Sequence, residues 1–283
     1  MSTSRSLVIA ALLLVSNVPQ ASELKAEKVS ASAGDKDVLI MSAPPRETPE
    51  AAKIIYQPVA DYLSKVIGKP IVYKYPRTFG VYRTEMLMGK YDIVFDGPNF
   101  VGYRVAQLQH NVLAKFSAVR EMYIFVRKND KIVSTAELEG KTICTQVPPN
   151  VDGLVALMPF ENPARQPVIV PVRGREAIFN GVMSGHCAAG VIPSPDWASL
   201  DKDGTLTKVL FKSQPILDQA ITAGPRISRE DYTKMAAALV APEAAGPTEK
   251  LRVRMRGGDS FVPATNAEYA VFAPLLKGQW GFF

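Results

Sequence analysis

The chain has 283 residues, of which 47% are hydrophobic and 21% are charged, a composition that supports a folded core and argues against general disorder. This length suggests one or two domains of ordinary size. The net charge of +6 is spread along the chain rather than gathered in blocks, so the sequence does not indicate a nucleic-acid-binding surface.

The first residues have the layout of a secretory signal peptide. Arg5 precedes an apolar run at 7–15, and small residues follow from Ala21. The run is shorter than the about 20 residues that a membrane-spanning helix needs. The alternative is a buried N-terminal helix. We expect a signal peptide over residues 1–22, a flexible lead-in over 23–36, and a soluble exported protein.

Beyond the lead-in, predicted strands and helices alternate, as is typical of βαβ units. Strands are predicted near 38–41, 71–73, 91–95, 112–116, 122–126, 142–145, 168–170, 188–192, 209–211 and 220–223. Helices are predicted near 49–66, 79–88, 99–108, 135–141, after Asn150, and near 176–183, 229–239, Glu249 and 268–276. The alternation predicts an α/β fold with a largely parallel sheet, and a C-terminal tail without strands that packs onto the first block.

This pattern predicts two α/β lobes, with the chain crossing between them twice. The first lobe comprises residues 37–124 together with 215–283, and the second comprises 125–214. Each lobe would then contain its own sheet covered by helices.

One stretch, from Met88 to Phe100, predicts where a ligand binds. Its apolar strand stops at Gly97-Pro98, and a helix begins near Asn99. In open α/β sheets, ligands bind in the crevice at the carboxyl ends of such strands. The N–H groups and positive dipole end of this helix would face that crevice and favour an anion.

Several side chains near the ends of predicted strands are candidates for ligand contact. Arginine suits bidentate contact with carboxylate or phosphate, and the candidate arginines are Arg46, Arg77, Arg173 and Arg175. The alternative is that they are exposed and solvated. We expect Arg77 and Arg175 to approach the ligand from opposite lobes. Phe79 and Phe100 would make the pocket more apolar, or belong to the core.

The two cysteines, Cys144 and Cys187, lie in apolar, strand-like segments. In an oxidising compartment they could pair, or they could remain two buried thiols, because the sequence does not supply their Cα separation. Neither they nor His110 and His186 have the spacing of a metal site. We expect neither a metal nor a cofactor.

Four segments resemble, in order and spacing, the periplasmic substrate-binding proteins of phosphate, phosphite and phosphonate ABC transporters. They are QPVADYLS at 57–64, the GKYDI and GP elements within 89–98, YIFVRKND at 123–130 and LEGK at 138–141. The resemblance implies a type II periplasmic-binding fold, a two-lobed clamshell that closes on a small-molecule ligand without catalysis. It also implies delivery to an ABC permease in the inner membrane. We expect a monomer.

The resemblance also implies an anion site in the loop after the first strand of the second lobe. Phosphonate binders typically have a Ser/Thr cluster there, whereas this chain has Pro148, Pro149 and Asn150, of which Asn150 is a candidate for ligand contact. The prolines carry no N–H, and Asp152 adds negative charge. The resemblance implies a phosphonate-like ligand, but these differences alter the phosphonate site. We therefore expect a small anionic or zwitterionic ligand, with a simple phosphonate not the preferred one. Asp196 stands where the family often has an acidic contact.

Two other functions remain alternatives. A stand-alone periplasmic sensor would bind a ligand in the same way and present it to a membrane kinase. An exported enzyme would need catalytic residues, and the sequence contains no Gly-x-Ser-x-Gly elbow and no His-Glu-x-x-His motif.

Overall fold

The computed structural model describes residues 38–255, 259–279 and 281–282. The predicted signal peptide and lead-in, 1–22 and 23–36, lie outside these residues. Within the described ranges, no helix combines the length and apolar character needed to span a bilayer.

Six strands form the first sheet; all strands are numbered in chain order. In spatial order they are β13 (Phe261–Val262), β4 (Asn111–Phe116), β12 (Ala220–Ala223), β3 (Ile93–Asp96), β1 (Leu39–Ser42) and β2 (Ile71–Tyr73). β1 pairs in parallel with both β2 and β3. β12, β4 and β13 pair antiparallel with their neighbours, so the sheet is mixed.

Five strands form the second sheet. In spatial order they are β10 (Thr207–Lys212), β6 (Met122–Arg127), β9 (Ala189–Pro193), β7 (Thr142–Thr145) and β8 (Val168–Pro171). β7 pairs in parallel with β8 and β9, whereas β6 pairs antiparallel with β9 and β10. Two short strands, β5 (Val119–Arg120) and β11 (Ile216–Leu217), pair with each other where the chain passes between the sheets.

The prediction of a largely parallel sheet is wrong for the strands around these two passages. A parallel pair needs a crossover of a dozen or more residues. β4, β5 and β6 follow one another within a few residues, as do β10, β11 and β12. The predicted first-lobe boundary, between residues 124 and 125, falls inside β6, and this whole strand lies in the second sheet.

Helices connect and cover the strands. They are α1 (Pro49–Ile67), α2 (Phe79–Leu87), α3 (Pro98–Gln107), α4 (Val151–Leu157), α5 (Arg175–Met183), α6 (Ser194–Leu200), α7 (Arg229–Val240), α8 (Ala245–Arg254) and α9 (Asn266–Ala270). Short 3-10 turns occupy Thr135–Leu138, Pro163–Arg165, Pro242–Ala244 and Ala273–Leu276. Local signals set the ends of α1: the Thr48 hydroxyl accepts from the Ala51 N–H at 3.3 Å, and Gly68 ends the helix at φ +67°.

The two sheets repeat one arrangement that positions the site. In β1-α1-β2-α2-β3 the first strand lies between the other two, and β7-α4-β8-α5-β9 has the same order. The strand order reverses beside β1 and beside β7. Such reversals leave a crevice at the carboxyl ends of the strands, which is where open α/β sheets bind ligands.

The C-terminal tail packs onto the first block, as predicted. The Tyr62 hydroxyl of α1 donates to the Ala238 carbonyl of α7 at 3.0 Å. α9 packs so closely on α3 that a Cβ on Gly102 would lie 2.5 Å from the Tyr269 carbonyl oxygen. The tail is not free of strands, however, because β13 pairs with β4 and forms the edge of the first sheet. Two residues are too short a run to show a strand period in sequence.

Cys144 and Cys187 form a disulfide, which settles the alternative left open by the sequence. Their Cα atoms lie 5.6 Å apart, both side chains are buried, and 43 positions separate them in the chain. α5 packs directly on the bridge, because a Cβ on Gly181 would lie 2.9 Å from the Cys144 sulfur.

Removing this bridge should destabilise the protein. For a closed loop of this length, the chain-entropy model gives a loss of about 4 kcal/mol in the free energy of unfolding. We expect the double variant Cys144→Ala/Cys187→Ala to unfold at a lower urea concentration than the parent. Dithiothreitol should bring the parent to the variant's midpoint and leave the variant unchanged. A parent insensitive to reductant would contradict a stabilising bridge.

Candidate ligand-binding site

A cavity of about 170 Å³ lies where the carboxyl ends of strands from both sheets meet. Segments following β1, β3, β7 and β8 contribute to its lining, together with residues of the β5–β11 ribbon. The cavity therefore occupies the crevice that the two strand orders predict.

The structure brings together seven of the ten residues predicted to bind ligand. The cavity is lined by Arg46, Phe79, Gly97, Pro98, Asn99, Asn150 and Arg175. The other three do not line it: Arg77 and Arg173 are exposed, and Asp196 is half-buried beside Arg175, 3.6 Å from its Nε atom. On the side of the first sheet, Arg46 therefore holds the position expected of Arg77.

The sheet order explains this difference. Arg77 follows β2 and Arg173 follows β8, and both strands lie at the edge of their sheet. Arg46 follows β1, beside the reversal in strand order. Arg175 also comes after an edge strand, but as the first residue of α5 it reaches the Asp152 carboxylate that lines the cavity.

A buried carboxylate organises the wall on the side of the first sheet. Asp96 ends β3 and has no exposed surface. It pairs with Arg46 at 3.2 Å and with the fully buried Arg104 at 3.1 Å. It also accepts the Gly97 N–H at 2.7 Å and the Tyr82 hydroxyl proton. Sequence reasoning missed Asp96 as a site residue, although its place between an apolar strand and Gly-Pro was a usable signal.

Charges in this cluster support one another. Burial is the largest single influence on the Arg46 pKa and lowers it, but the neighbouring acidic groups, Asp96 first among them, together outweigh burial and raise the pKa. Burial raises the pKa of Tyr82 well above its usual range; Arg104 opposes the rise and Asp96 adds to it. Tyr82 therefore remains protonated and donates to the carboxylate.

The α3 N-terminus forms the next part of the wall. Gly97 precedes the helix, and no side chain caps its first N–H groups. Pro98 occupies the first turn, where its missing N–H costs nothing. The Asn99 side-chain amide donates to the Pro149 carbonyl at 2.8 Å, so α3 contacts the loop that follows β7.

That loop forms the wall on the side of the second sheet. Asn150 caps α4 by accepting the Asp152 N–H at 3.2 Å, and its amide donates to the Gln146 side chain at 2.7 Å. The Pro148–Pro149 peptide is cis. The loop lies directly on α4, because a Cβ on Gly153 would be 2.3 Å from the Gln146 carbonyl oxygen.

Three arginines reach the cavity, and each is paired with an aspartate. The pairs are Arg46–Asp96, Arg120–Asp218 and Arg175–Asp152. The arginine side chains keep 25%, 34% and 27% of their surface exposed, whereas the aspartates are almost fully buried. A guanidinium has five N–H donors, so one carboxylate partner orients it without using all of them. Among the described residues, no group of His, Cys, Asp and Glu side chains could hold a metal ion.

The model of the family "ABC transporter, phosphonate, periplasmic substrate-binding protein" matches residues 41–269. The chain belongs to this family of periplasmic substrate-binding proteins, which confirms the resemblance seen in its sequence. No curated protein sequence matches the chain significantly.

Solved structures confirm the two-lobed type II periplasmic-binding fold. XAC2383 from Xanthomonas citri, bound to ATP, superposes with a TM-score of 0.63 at 12% identity, covering 86% of this chain and 96% of that one. PhnD1 from Prochlorococcus marinus, in complex with methylphosphonate, gives 0.59 at 16% identity, covering 86% and 98%. A phosphonate transporter binding protein from Pseudomonas aeruginosa, PA3383, gives 0.56 at 15% identity, covering 84% and 85%. Identities this low establish the fold and not the ligand.

The Asp96 cluster predicts a large effect of a small substitution. Asp96→Asn keeps the side-chain shape but leaves the buried Arg104 without a charged partner, and breaking such a pair costs about 3–5 kcal/mol. Urea unfolding should therefore show a much lower midpoint. The double variant Asp96→Asn/Arg104→Met removes both charges and should recover part of the lost stability. Glu230→Gln, which removes an exposed pair on α7, should change little. An unchanged midpoint for Asp96→Asn would show that Arg104 has another partner.

His110 predicts how stability depends on pH. Burial, with a further contribution from the Arg104 charge, lowers the pKa of His110 to about 3. Below about pH 6.5 the unfolded chain binds a proton that the folded protein does not, so acidification destabilises the fold. Between pH 7 and pH 5 the loss from this residue is about 2 kcal/mol.

Urea unfolding at pH 7 and pH 5 should show that His110→Gln loses less folding stability on acidification than the parent does. His186 is the other histidine of the chain and is exposed, so His186→Gln serves as the control and should behave as the parent does. Equal pH dependence in all three proteins would mean that His110 titrates normally in the folded state.

Proposed function

We propose that this protein is the solute-binding component of an ABC importer, and that it captures a small ligand with an anionic group in the cavity between its two sheets. Family membership supports the transport role. The main support for an anionic ligand is that Arg46, Arg120 and Arg175, from three separate parts of the chain, line one cavity.

Charge balance narrows the ligand class. Four arginines around the cavity are matched by four aspartates: Arg46, Arg104, Arg120 and Arg175 with Asp96, Asp152, Asp196 and Asp218. A set with no net charge offers little compensation for a second negative charge on the ligand. A monoanion or a zwitterion therefore fits better than a dianion. Asp152 and Asp218 line the cavity and are suited to accept from the ammonium group of a zwitterion.

Donor chemistry argues against a simple phosphonate as the preferred ligand. The loop after β7 offers the side-chain amides of Gln146 and Asn150 but no hydroxyl, and its two prolines provide no N–H. The volume of about 170 Å³ is below the roughly 300–1,000 Å³ of pockets for drug-sized molecules. The cavity thus suits a compact metabolite whose anionic group contacts guanidinium and the α3 N-terminus.

The two sheets suggest how ligand binding is coupled to transport. We assign one lobe to each sheet, with the β5–β11 ribbon as the hinge between them. Arg46 belongs to the first lobe and Arg175 to the second, so a ligand that contacts both favours the closed form over the open one. The closed form then docks on a permease in the inner membrane. The protein acts as an exported, periplasmic monomer with a cleaved signal peptide, and it performs no catalysis.

The arginine contacts can be tested by substitution. A thermal-shift screen of carboxylates, amino acids, phosphonates and phosphate would identify a ligand, since a ligand at 100 times its Kd adds about 2.7 kcal/mol to stability. Because a hydrogen bond to a charged group contributes about 1.5–3 kcal/mol, Arg46→Gln and Arg175→Gln should each weaken binding about tenfold or more in calorimetry.

The chain supplies matched controls for these variants. Arg77 and Arg173 are exposed arginines that do not line the cavity, so Arg77→Gln and Arg173→Gln should bind as the parent does. Parent-like affinity in Arg46→Gln and Arg175→Gln would contradict the arginine site. A phosphonate bound more tightly than every carboxylate and amino acid would contradict the proposed ligand class.

A further inference from the structure

A second, larger cavity adjoins the first. Its volume is about 280 Å³, and it shares Phe79, Phe100 and Pro149 with the lining of the first cavity. The two cavities therefore meet at these three residues, and the first of them is lined by arginine and aspartate. No aspartate, glutamate or lysine lines the second cavity among the residues that the structure describes.

Closely packed aromatic side chains form one wall of this second cavity. Phe100 packs edge-to-face on Phe282 with ring centroids 5.8 Å apart, and Phe282 packs in the same way on Tyr103 at 5.1 Å. Phe282 is only 3% exposed. Phe79, by contrast, is 43% exposed at the boundary between the two cavities. An exposed phenylalanine at this place offers apolar surface that a ligand could cover.

The opposite wall is apolar for a different reason. Pro148 and Pro149 have no N–H, and the Pro149 carbonyl already accepts the Asn99 amide at 2.8 Å. The loop therefore presents mainly pyrrolidine carbons to the second cavity. The two prolines that remove donors from the polar cavity supply apolar surface to its neighbour.

The polar residues of the second cavity lie near the C-terminal segment that carries Phe282. Arg83 and Gln279 contribute to the lining. The Arg83 guanidinium packs against the last turn of the chain, because a Cβ on Gly281 would lie 2.6 Å from its Nη1 atom. This contact places the arginine beside the C-terminal segment that carries Phe282.

We propose that the second cavity is a subsite for an apolar substituent of the ligand whose anionic group lies in the first cavity. The ligand is then a small organic anion or zwitterion that carries an alkyl or aryl group. The inference rests on the proposed function, because the anionic group must be held in the first cavity. The substituent passes between Phe79, Phe100 and Pro149, and covers the exposed face of Phe79.

The subsite makes affinity depend on the substituent. Each methylene moved from water into an apolar site improves binding about fourfold, and an aryl group improves it more. Three pairs of probes test the substituent, because the members of each pair share a charged group and differ in the substituent. The pairs are methylphosphonate with phenylphosphonate, acetate with phenylacetate, and glycine with phenylalanine. In the pair whose charged group the first cavity accepts, calorimetry should show that the parent protein binds the aromatic member at least about tenfold more tightly than the small member.

Gly80 provides a way to block the second cavity alone. It lines the second cavity and not the first, and an added Cβ would meet only the Thr78 hydroxyl, at 3.7 Å. It lies in the first turn of α2, where leucine is a better helix former than glycine. Gly80→Leu should therefore fold and add side-chain volume at the lining of the second cavity, and Gly80→Ala is the matched control.

We expect Gly80→Leu to cut the advantage of the aromatic member to less than about threefold, with affinity for the small member unchanged. Gly80→Ala should keep the full advantage. Equal affinity of the parent for both members of every pair that binds, or equal weakening of both members by Gly80→Leu, overturns the subsite alone. If no member binds, or if binding is insensitive to Arg175→Gln, the proposed function fails and the subsite fails with it.

Discussion

The buried carboxylate of Asp96 is the constraint on which the first half of the site depends. A carboxylate removed from water must be surrounded by donors and positive charge, and Asp96 receives them from the segments that follow β1 and β3 and from α2 and α3. These contacts hold Arg46 beside the N-terminus of α3. Because Asp96 ends one strand and Arg46 follows the neighbouring one, the pair joins the two carboxyl ends where the strand order reverses.

The second sheet reaches a similar arrangement with different residues. There Asp152 is buried at the start of α4 and orients Arg175 at the start of α5. Each side of the cavity thus has an arginine held by an aspartate. Orientation by a carboxylate lowers the entropy that an arginine loses on contacting a ligand, but it also cancels the net charge. Selectivity in such a cavity depends on the geometry of donors and acceptors more than on overall attraction.

The loop at 146–150 connects the polar and apolar parts of the molecule. Gln146 and Asn150 present amides to the first cavity, Pro148 lines the second, and Pro149 lines both. The C-terminal segment completes the second cavity, because Phe282 packs on Phe100 of α3. Residues that lie far apart in the chain therefore line the two adjoining cavities, and the C-terminal segment contributes to this lining together with the segments that follow the strands.

The sequence by itself determined the order of most strands and helices, the α/β class, the family, and the Gly97-Pro98-Asn99 helix start that lines the cavity. These depend on local signals, such as apolar period, Thr48 and Gly68 at the ends of α1, and Gly-Pro after a strand. Only the tertiary structure decided the antiparallel strands, the disulfide, the choice of Arg46 over Arg77, and the role of Asp96. Each of these depends on which strand lies beside which, and partners such as Asp96 and Arg46 are 50 positions apart, beyond the reach of a local pattern.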